Sequence, residues 1–291
     1  PYTTLFRSLF IGVDEEGGSV ARLADSLGTA QFDDMAVYGE AGDAAAAYDI
    51  GAAIASEMKS LGFNVDFAPV ADVLTNRENT TIGDRSFGSN SDLVADFVAH
   101  EVQAFVDSGV VCSPKHFPGQ GSVGSDTHNG FAATEVTMEE LESTHLKPFQ
   151  AAIDAGAPMI MVGHMTLTEI DEEYPASLSP AIVTGILRER MGYDGIVITD
   201  AMNMGSITSK YTSGEAAVQA IAAGCDMLLC TYNISNVITA VTRAVEDGTL
   251  SEERIDQSVT RIVATKLQYN IPAAAPEEAE EAEEEADAAQ E

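Results

Sequence analysis

The chain has 291 residues and carries 47 acidic against 14 basic side chains, a formal net charge of -33 at pH 7. This charge excludes a nucleic-acid partner bound by phosphate neutralisation, and it disfavours binding to an anionic membrane surface. Apolar residues make up 45% of the chain, which is enough for a buried core. No apolar run reaches the ~18 residues that a membrane-spanning helix needs, so we expect no membrane span.

Both ends of the chain differ from its middle in composition. Residues 1–8 lack a start methionine and the long apolar run of a signal peptide, and we interpret them as a non-native segment. Residues 272–291 form an Ala/Glu stretch without large apolar side chains, which is typical of a disordered acidic tail. We therefore expect one folded domain over residues 9–271.

Short apolar runs alternate with helical patterns through this domain. Continuous apolar runs are typical of parallel strands that are covered on both faces. We predict strands at residues 9–13, 65–68, 110–113, 159–162, 195–199 and 227–230. We predict helices at residues 44–60, 92–108, 138–155, 180–191, 215–223, 236–247 and 252–267.

Local signals mark several helix ends. Ser179 precedes Pro180, and Ser251 precedes two glutamates; serine caps a helix start, and acidic residues suit its positive end. Glycine follows several helical patterns, as at Gly109 and Gly192, and predicts a left-handed cap there. These signals support a repeated order of helix, glycine and strand.

The three cysteines, Cys112, Cys225 and Cys230, lie in or beside apolar runs. Their number is odd and they form no C-x-x-C pair, so disulfides and a metal site are disfavoured. We predict that all three are buried thiols.

Ionisable residues follow five of the six predicted strands, where they include Asp14, Asp72, Lys115-His116, His164 and Asp200. Repeated β–α units form either a closed barrel or an open sheet, and a barrel gathers the carboxyl ends of its strands on one rim. No G-x-G-x-x-G motif follows the first strand, which disfavours a dinucleotide-binding open sheet. The sequence predicts an α/β fold, a (β/α)8 TIM-type barrel that lacks one or two N-terminal strands.

Two features of this rim indicate acid–base or covalent catalysis. Asp200 follows a strand directly, where a carboxylate could attack an electrophilic carbon or merely cap the next segment. A glycine-rich loop contains Asp126 and His128, and an aspartate at this spacing can orient an imidazole. Arg22 and Arg85 lie near strand ends, where carboxylates or a ligand would hold them.

Together these segments resemble glycoside hydrolase family 3, with the closest likeness to bacterial β-N-acetylglucosaminidases of the NagZ type. The likeness covers about residues 9–270. The matching segments are D-E-E-G-G-x-x-x-R at residues 14–22, F-A-P-V-A-D at 67–72, I-G-D-R-S-F at 82–87, K-H-F-P-G-Q-G at 115–121, D-T-H at 126–128 and I-T-D-A-M at 198–202.

The resemblance implies a role for each matching residue. Asp200 matches the nucleophile, His128 the general acid/base and Asp126 the partner of that histidine. Sugar-binding positions are matched by Asp14, Arg22, Arg85, Lys115 and His116, and a rim position near the sugar by His164. It further implies a retaining β-N-acetylhexosaminidase that needs neither cofactor nor metal and acts on glycans with a terminal N-acetylglucosamine, such as peptidoglycan fragments. The bacterial compartment, cytoplasmic or cell envelope, is left open.

Gln120 stands where the family usually has histidine, and residues 129–132 lack the usual leucine-proline pair. Independently of these two departures, three alternatives to a retaining hydrolase stay open. A phosphorylase would use the same residues, and a truncated remnant would bind carbohydrate without cleaving it. A metal-dependent hydrolase would use His116, His128, His164 and Asp200 as ligands, but it usually has an H-x-H motif at an early strand end, which this chain lacks.

Overall fold

The computed structural model describes residues 8–124 and 132–271. Its centre is a set of parallel strands, which pair in chain order: β1 with β2, β2 with β3, β4 with β5 and β5 with β6. A parallel bridge between Phe117 and Val162 joins the segment after β3 to β4. The strands are β1 Gly12–Val13, β2 Val65–Asp66, β3 Val111–Cys112, β4 Met159–Val162, β5 Ile196–Ala201 and β6 Met227–Leu229.

Helices connect these strands and cover the outer face of the sheet. They are α1 Ala45–Ser60, α2 Ser91–Ser108, α3, which comprises Met138–Glu140, a π-helical turn Leu141–His145 and Leu146–Asp154, the π-helical α4 Ala181–Arg190, α5 Ser213–Ala223, α6 Ile234–Glu246 and α7 Glu252–Gln268. Shorter elements are the helices Arg22–Leu27, Met35–Ala41 and Gly205–Thr208, the antiparallel strands Glu15–Gly17 and Val20–Ala21, and the parallel strands Ala133–Thr134 and Thr166–Leu167.

The predicted strands and helices are confirmed, with small shifts at their ends. The Ser251 hydroxyl accepts a hydrogen bond from the Arg254 N–H at the start of α7. The Ser179 hydroxyl accepts from the Ile182 N–H at the start of α4. Gly109 and Gly192 have φ angles of 70° and 71°, the left-handed values that glycine adopts without steric cost.

Side chains on the two faces of the strands enter different cores. Outward residues such as Cys112, Ile160 and Val197 pack with the helices in the larger cluster. Inward residues from successive strands, such as Val65, Val111 and Ile198, meet each other in a second cluster. Contact among inward side chains of successive strands requires the sheet to curl around them.

An α/β fold with parallel strands is therefore confirmed, while closure of the barrel is not seen. Within the described residues, β1 pairs only with β2 among the parallel strands and β6 only with β5. None of the described helices has the length and apolar character to cross a membrane. The segment 1–7 and the acidic tail 272–291 lie outside the described residues.

Candidate active site

A cavity of about 650 Å³ lies at the carboxyl ends of the strands. Six of the residues that the sequence singled out line it, although they come from positions 14 to 200 of the chain. They are Asp14, Arg22, Arg85, Lys115, His116 and Asp200. The ionisable residues at these strand ends therefore converge on one cavity.

The segment after β1 forms a hairpin, in which Glu15–Gly17 pairs back on Val20–Ala21. The neighbouring carboxylates of Glu15 and Glu16 have different partners there. Glu15 is buried and accepts hydrogen bonds from the Leu23 and Ala24 N–H groups, at 2.6 and 3.1 Å. It thereby caps the helix Arg22–Leu27, where a negative charge is favoured. Glu15 is thus held at the helix start, whereas its two sequence neighbours, Asp14 and Glu16, line the cavity.

Glu16 is the centre of a buried cluster of charges. Its Oε1 lies 2.6 Å from Lys115 Nζ, and its two oxygens accept from Arg85 Nη2 and Nε, each at 2.8 Å. Lys115 also donates to Asp14 Oδ1 at 2.6 Å. Burial alone would raise the pKa of Glu16, but Lys115 and Arg85 outweigh it and lower the pKa to about 2.

The cluster presents both signs of charge to the cavity. Lys115, Arg85 and Asp14 border it, and removing one partner of such a buried ion pair costs about 3–5 kcal/mol. Carboxylate acceptors and cationic donors on one wall can both hydrogen-bond to a polar ligand in the cavity.

Asp72 orients the next residue of the rim, His116. The buried carboxylate of Asp72 lies 2.7 Å from His116 Nδ1, and it also accepts from the Gln120 N–H at 2.6 Å. Because a carboxylate can only accept, the Nδ1 atom of His116 carries the proton. Nε2 is then the nitrogen that His116 can offer to a ligand in the cavity.

Asp200 is the second-to-last residue of β5, and it lines the cavity. Its Oδ1 accepts a hydrogen bond from the Ala201 N–H at 2.7 Å. Burial alone would raise the pKa of Asp200, but His116 foremost, together with the Ala201 N–H and Lys115, outweighs burial and lowers the pKa. Asp200 is therefore ionised at neutral pH, as a nucleophilic carboxylate must be.

His164 is buried behind Asp200 and does not line the cavity. Its Nδ1 lies 2.7 Å from Ser177 Oγ and its Nε2 lies 3.1 Å from the Ala201 carbonyl oxygen. Burial lowers the pKa of His164, which favours the neutral ring. Both nitrogens are thus engaged by the protein, and the sugar-binding role of His164 stays a prediction.

The remaining two predicted catalytic residues, Asp126 and His128, lie outside the described residues. Their placement relative to Asp200 stays a prediction. Among residues 8–124 and 132–271, no group of three or more His, Cys, Asp or Glu side chains is arranged to hold a metal ion.

Three residues of the site received no role from the sequence. Glu16 and Asp72 lie inside the recognised motifs. The closeness of Glu16 to Asp14 in the sequence, and the place of Asp72 after a predicted strand, could have indicated a role for each. Ser177 lies in a turn with no motif, so only the structure identifies it. All three are buried polar side chains that hold another site residue in place.

Comparison with known proteins identifies the family of the chain. The profile of the family described as "Glycosyl hydrolase family 3 N terminal domain" matches residues 3–265, and the chain belongs to that family. Beta-hexosaminidase A of Pseudoalteromonas piscicida is 33% identical over 288 residues, which covers 91% of this chain and 48% of that protein. Beta-hexosaminidase LpqI of Mycobacterium tuberculosis is 33% identical over 266 residues, covering 89% and 68%.

Solved structures give the same relationship. A glycoside hydrolase family 3 β-N-acetylglucosaminidase from Paenibacillus sp. str. FPU-7 superposes with a TM-score of 0.87 at 40% identity. The match covers 92% of this chain and 51% of that one. The chain thus spans about half the length of this structure and of beta-hexosaminidase A.

Proposed function

We propose that the chain is the catalytic domain of a retaining β-N-acetylhexosaminidase that releases a terminal N-acetylglucosamine from the non-reducing end of a glycan. The observation that carries this proposal is the convergence of Asp200 with the Lys115, Arg85 and Asp14 cluster on one cavity. The names of relatives in the same family support the substrate class. Peptidoglycan fragments are the natural substrate that the sequence resemblance implies.

In the first step, an oxygen of Asp200 bonds to the anomeric carbon while the bond to the leaving oxygen breaks. His128 donates its proton to that oxygen, and a glycosyl ester on Asp200 forms. Water then attacks the same carbon, His128 takes its proton, and Asp200 is released as a carboxylate. Asp126 would accept the other ring N–H of His128 and so orient it.

The charged cluster supplies orientation in this mechanism. Asp14 accepts from sugar hydroxyls, while Lys115 and Arg85 donate to them. Holding the ring in a fixed position makes attack by Asp200 effectively intramolecular. Arg22 is exposed at the cavity edge and would contact the outer part of the glycan.

The fold expected for this function is a barrel of the (β/α)8 type, to which residues 9–271 contribute six parallel strands. Strand pairing in chain order and the inward cluster support this proposal. In such barrels the active site lies at the carboxyl ends of the strands. The position of the cavity agrees with that arrangement.

The nucleophile is tested with Asp200→Ala. We expect turnover of nitrophenyl N-acetylglucosaminide to fall by at least about 10⁴-fold, because the variant lacks the carboxylate that forms the glycosyl ester. Binding of N-acetylglucosamine, measured by calorimetry, should persist. Asp194→Ala is the matched control, since Asp194 is exposed and, among the described residues, pairs only with Arg261. Near-normal turnover in Asp200→Ala would exclude this mechanism.

The covalent step is tested with His128→Ala. With a dinitrophenyl substrate the leaving group needs little proton donation, so the first step should stay fast while hydrolysis slows. The glycosyl ester should then accumulate and appear by mass spectrometry on the peptide that contains Asp200.

Product analysis with added phosphate separates a hydrolase from a phosphorylase, because a phosphorylase releases a sugar 1-phosphate.

A further inference from the structure

A chain of hydrogen bonds runs from a buried serine to the backbone of Ala201, the residue that follows Asp200. Ser177 is fully buried, and its Oγ lies 2.7 Å from His164 Nδ1. His164 Nε2 lies 3.1 Å from the carbonyl oxygen of Ala201, whose own N–H donates to Asp200 Oδ1 at 2.7 Å. None of the catalytic assignments above uses Ser177.

The direction of each hydrogen bond follows from its end group. A carbonyl oxygen only accepts, so His164 Nε2 carries a proton and donates it to Ala201. Burial of the ring favours the neutral form, in which Nδ1 has a lone pair. The Ser177 hydroxyl therefore donates to Nδ1. One hydroxyl thus selects the tautomer of His164 that holds the backbone beside Asp200.

The backbone also fixes Ser177 relative to His164. The Ser177 N–H donates to the Gly163 carbonyl oxygen at 3.1 Å, and the Ala176 N–H donates to the Met165 carbonyl oxygen at 2.8 Å. The turn with Ser177 is thus tied to both neighbours of His164. On the other side, the Met202 N–H donates to the Leu229 carbonyl oxygen at 2.8 Å, which ties the end of β5 to β6.

We infer that Ser177 is a positioning residue, which acts through His164 and the Ala201 carbonyl to aim the Asp200 carboxylate at the anomeric carbon. This inference rests on the proposed role of Asp200 as nucleophile. Neither Ser177 nor His164 lines the cavity, so the pair affects the rate through Asp200 and leaves the groups that bind the sugar in place.

The test replaces Ser177 by alanine in the full chain. Without the donor to Nδ1, the His164 ring can take the other tautomer and lose its bond to Ala201. Because small misplacements of a reacting group are costly, we expect kcat for nitrophenyl N-acetylglucosaminide to fall about 10–100-fold, with KM within about threefold. Ser177→Cys keeps the shape of the side chain with a larger atom at its end but offers only a weak donor, and its kcat should also fall.

The matched control is Ser206→Ala. Ser206 is also a buried serine, but its hydroxyl has no hydrogen-bond partner in the described part of the chain. We expect kcat of this variant to equal that of the original protein. If Ser206→Ala and Ser177→Ala lose the same activity, a general effect of removing a buried hydroxyl explains the result and the inference fails.

A double-mutant cycle tests the route through His164. If Ser177 acts only through that ring, adding Ser177→Ala to His164→Leu should cause no further loss of kcat. Nitrogen NMR of the histidine rings should show the Nε2–H tautomer for His164 and its loss in Ser177→Ala. Losses that multiply in the double variant, an unchanged tautomer, or normal kcat in Ser177→Ala would each overturn the inference. An active Asp200→Ala variant would instead overturn the proposed function itself.

Discussion

At the scale of single residues, the cysteines separate what the sequence could predict from what it could not. The prediction of buried thiols is confirmed for Cys112 and Cys225 and is wrong for Cys230. Cys230 ends the apolar run of β6, but its φ angle of 49° turns the chain and leaves the side chain exposed. It lines the cavity together with Asp200.

This placement makes Cys230 a chemical probe of the cavity. We expect iodoacetamide to alkylate Cys230 in the folded protein and to lower kcat/KM at least about tenfold, because the added group occupies substrate space (about 1.4 kcal/mol). Cys112 and Cys225 should not react, since they are buried and burial raises the pKa of both thiols.

The control for this prediction is Cys230→Ser, which should resist inactivation and keep its activity. Free N-acetylglucosamine should slow the alkylation of the original protein. Protein that is alkylated only at Cys230 and retains full kcat/KM would show that Cys230 lies outside the space that the substrate fills.

At the scale of secondary-structure elements, one carboxylate joins strands and helices at the end of the sheet opposite the cavity. Asp226, just before β6, pairs with Arg188 of α4 at 2.5 Å and with Arg254 and Arg261 of α7 at 3.3 and 3.4 Å. It also accepts from the Val197 N–H of β5 at 3.0 Å. These bonds fix two helices against two strands.

Asp226→Ala should therefore lower the free energy of unfolding by about 3–5 kcal/mol, because three guanidinium groups lose their buried counter-charge. Asp194→Ala is the matched control, since within the part of the chain that the structure describes this exposed carboxylate pairs with Arg261 alone. Its removal should cost less than about 1 kcal/mol. Urea unfolding followed by circular dichroism measures both. Equal losses in the two variants would show that Asp226 does not hold the elements together.

Seven helices and six strands could be predicted because their signals are local: apolar periodicity, serine caps and glycine ends. The hydrogen bond between Asp72 and His116 could not be predicted, because the two residues lie 44 positions apart and their contact depends on how β2 and β3 pair. Glu16 differs from Glu15 through the hairpin that follows β1; Gly17 and Gly18 signal the turn, but a turn signal does not show which of the two carboxylates faces the cavity. The candidate site was therefore predicted at its motifs and missed at the residues that support them.

At the scale of the whole molecule, buried carboxyls of opposite behaviour set the dependence of stability on pH. Glu101 of α2 is fully buried against Gly51 of α1, and its Oε1 has no hydrogen-bond partner in the described residues. Burial and then the charge of Glu16 raise the pKa of Glu101 to about 8. Burial also raises the pKa of Asp66. The pKa of Glu16 is shifted the other way and lies at about 2.

The sign of each contribution follows from proton binding. Glu101 holds its proton in the folded chain up to about pH 8, whereas the unfolded chain releases it near its usual value of 4.5. Its contribution to stability is complete below pH 4.5 and is lost as the pH rises to 8. The contribution of Glu16 is complete above 4.5 and is lost as the pH falls toward 2. We therefore expect maximum stability in mildly acidic solution, near pH 5, with repulsion from the net charge of -33 adding to the loss above it.

Glu101→Gln tests this assignment, because the amide does not titrate. The free energy of unfolding of the original protein should fall between pH 5 and 8, and the variant should fall less steeply, by up to about 1.4 kcal/mol per pH unit. Glu246→Gln removes an exposed carboxylate of α6 and should keep the original slope. Urea titrations at pH 5, 6, 7 and 8 measure all three proteins. Parallel curves for the original protein and Glu101→Gln would mean that Glu101 is ionised in the folded chain, and the loss of stability at high pH would then come from Asp66 and from the net charge.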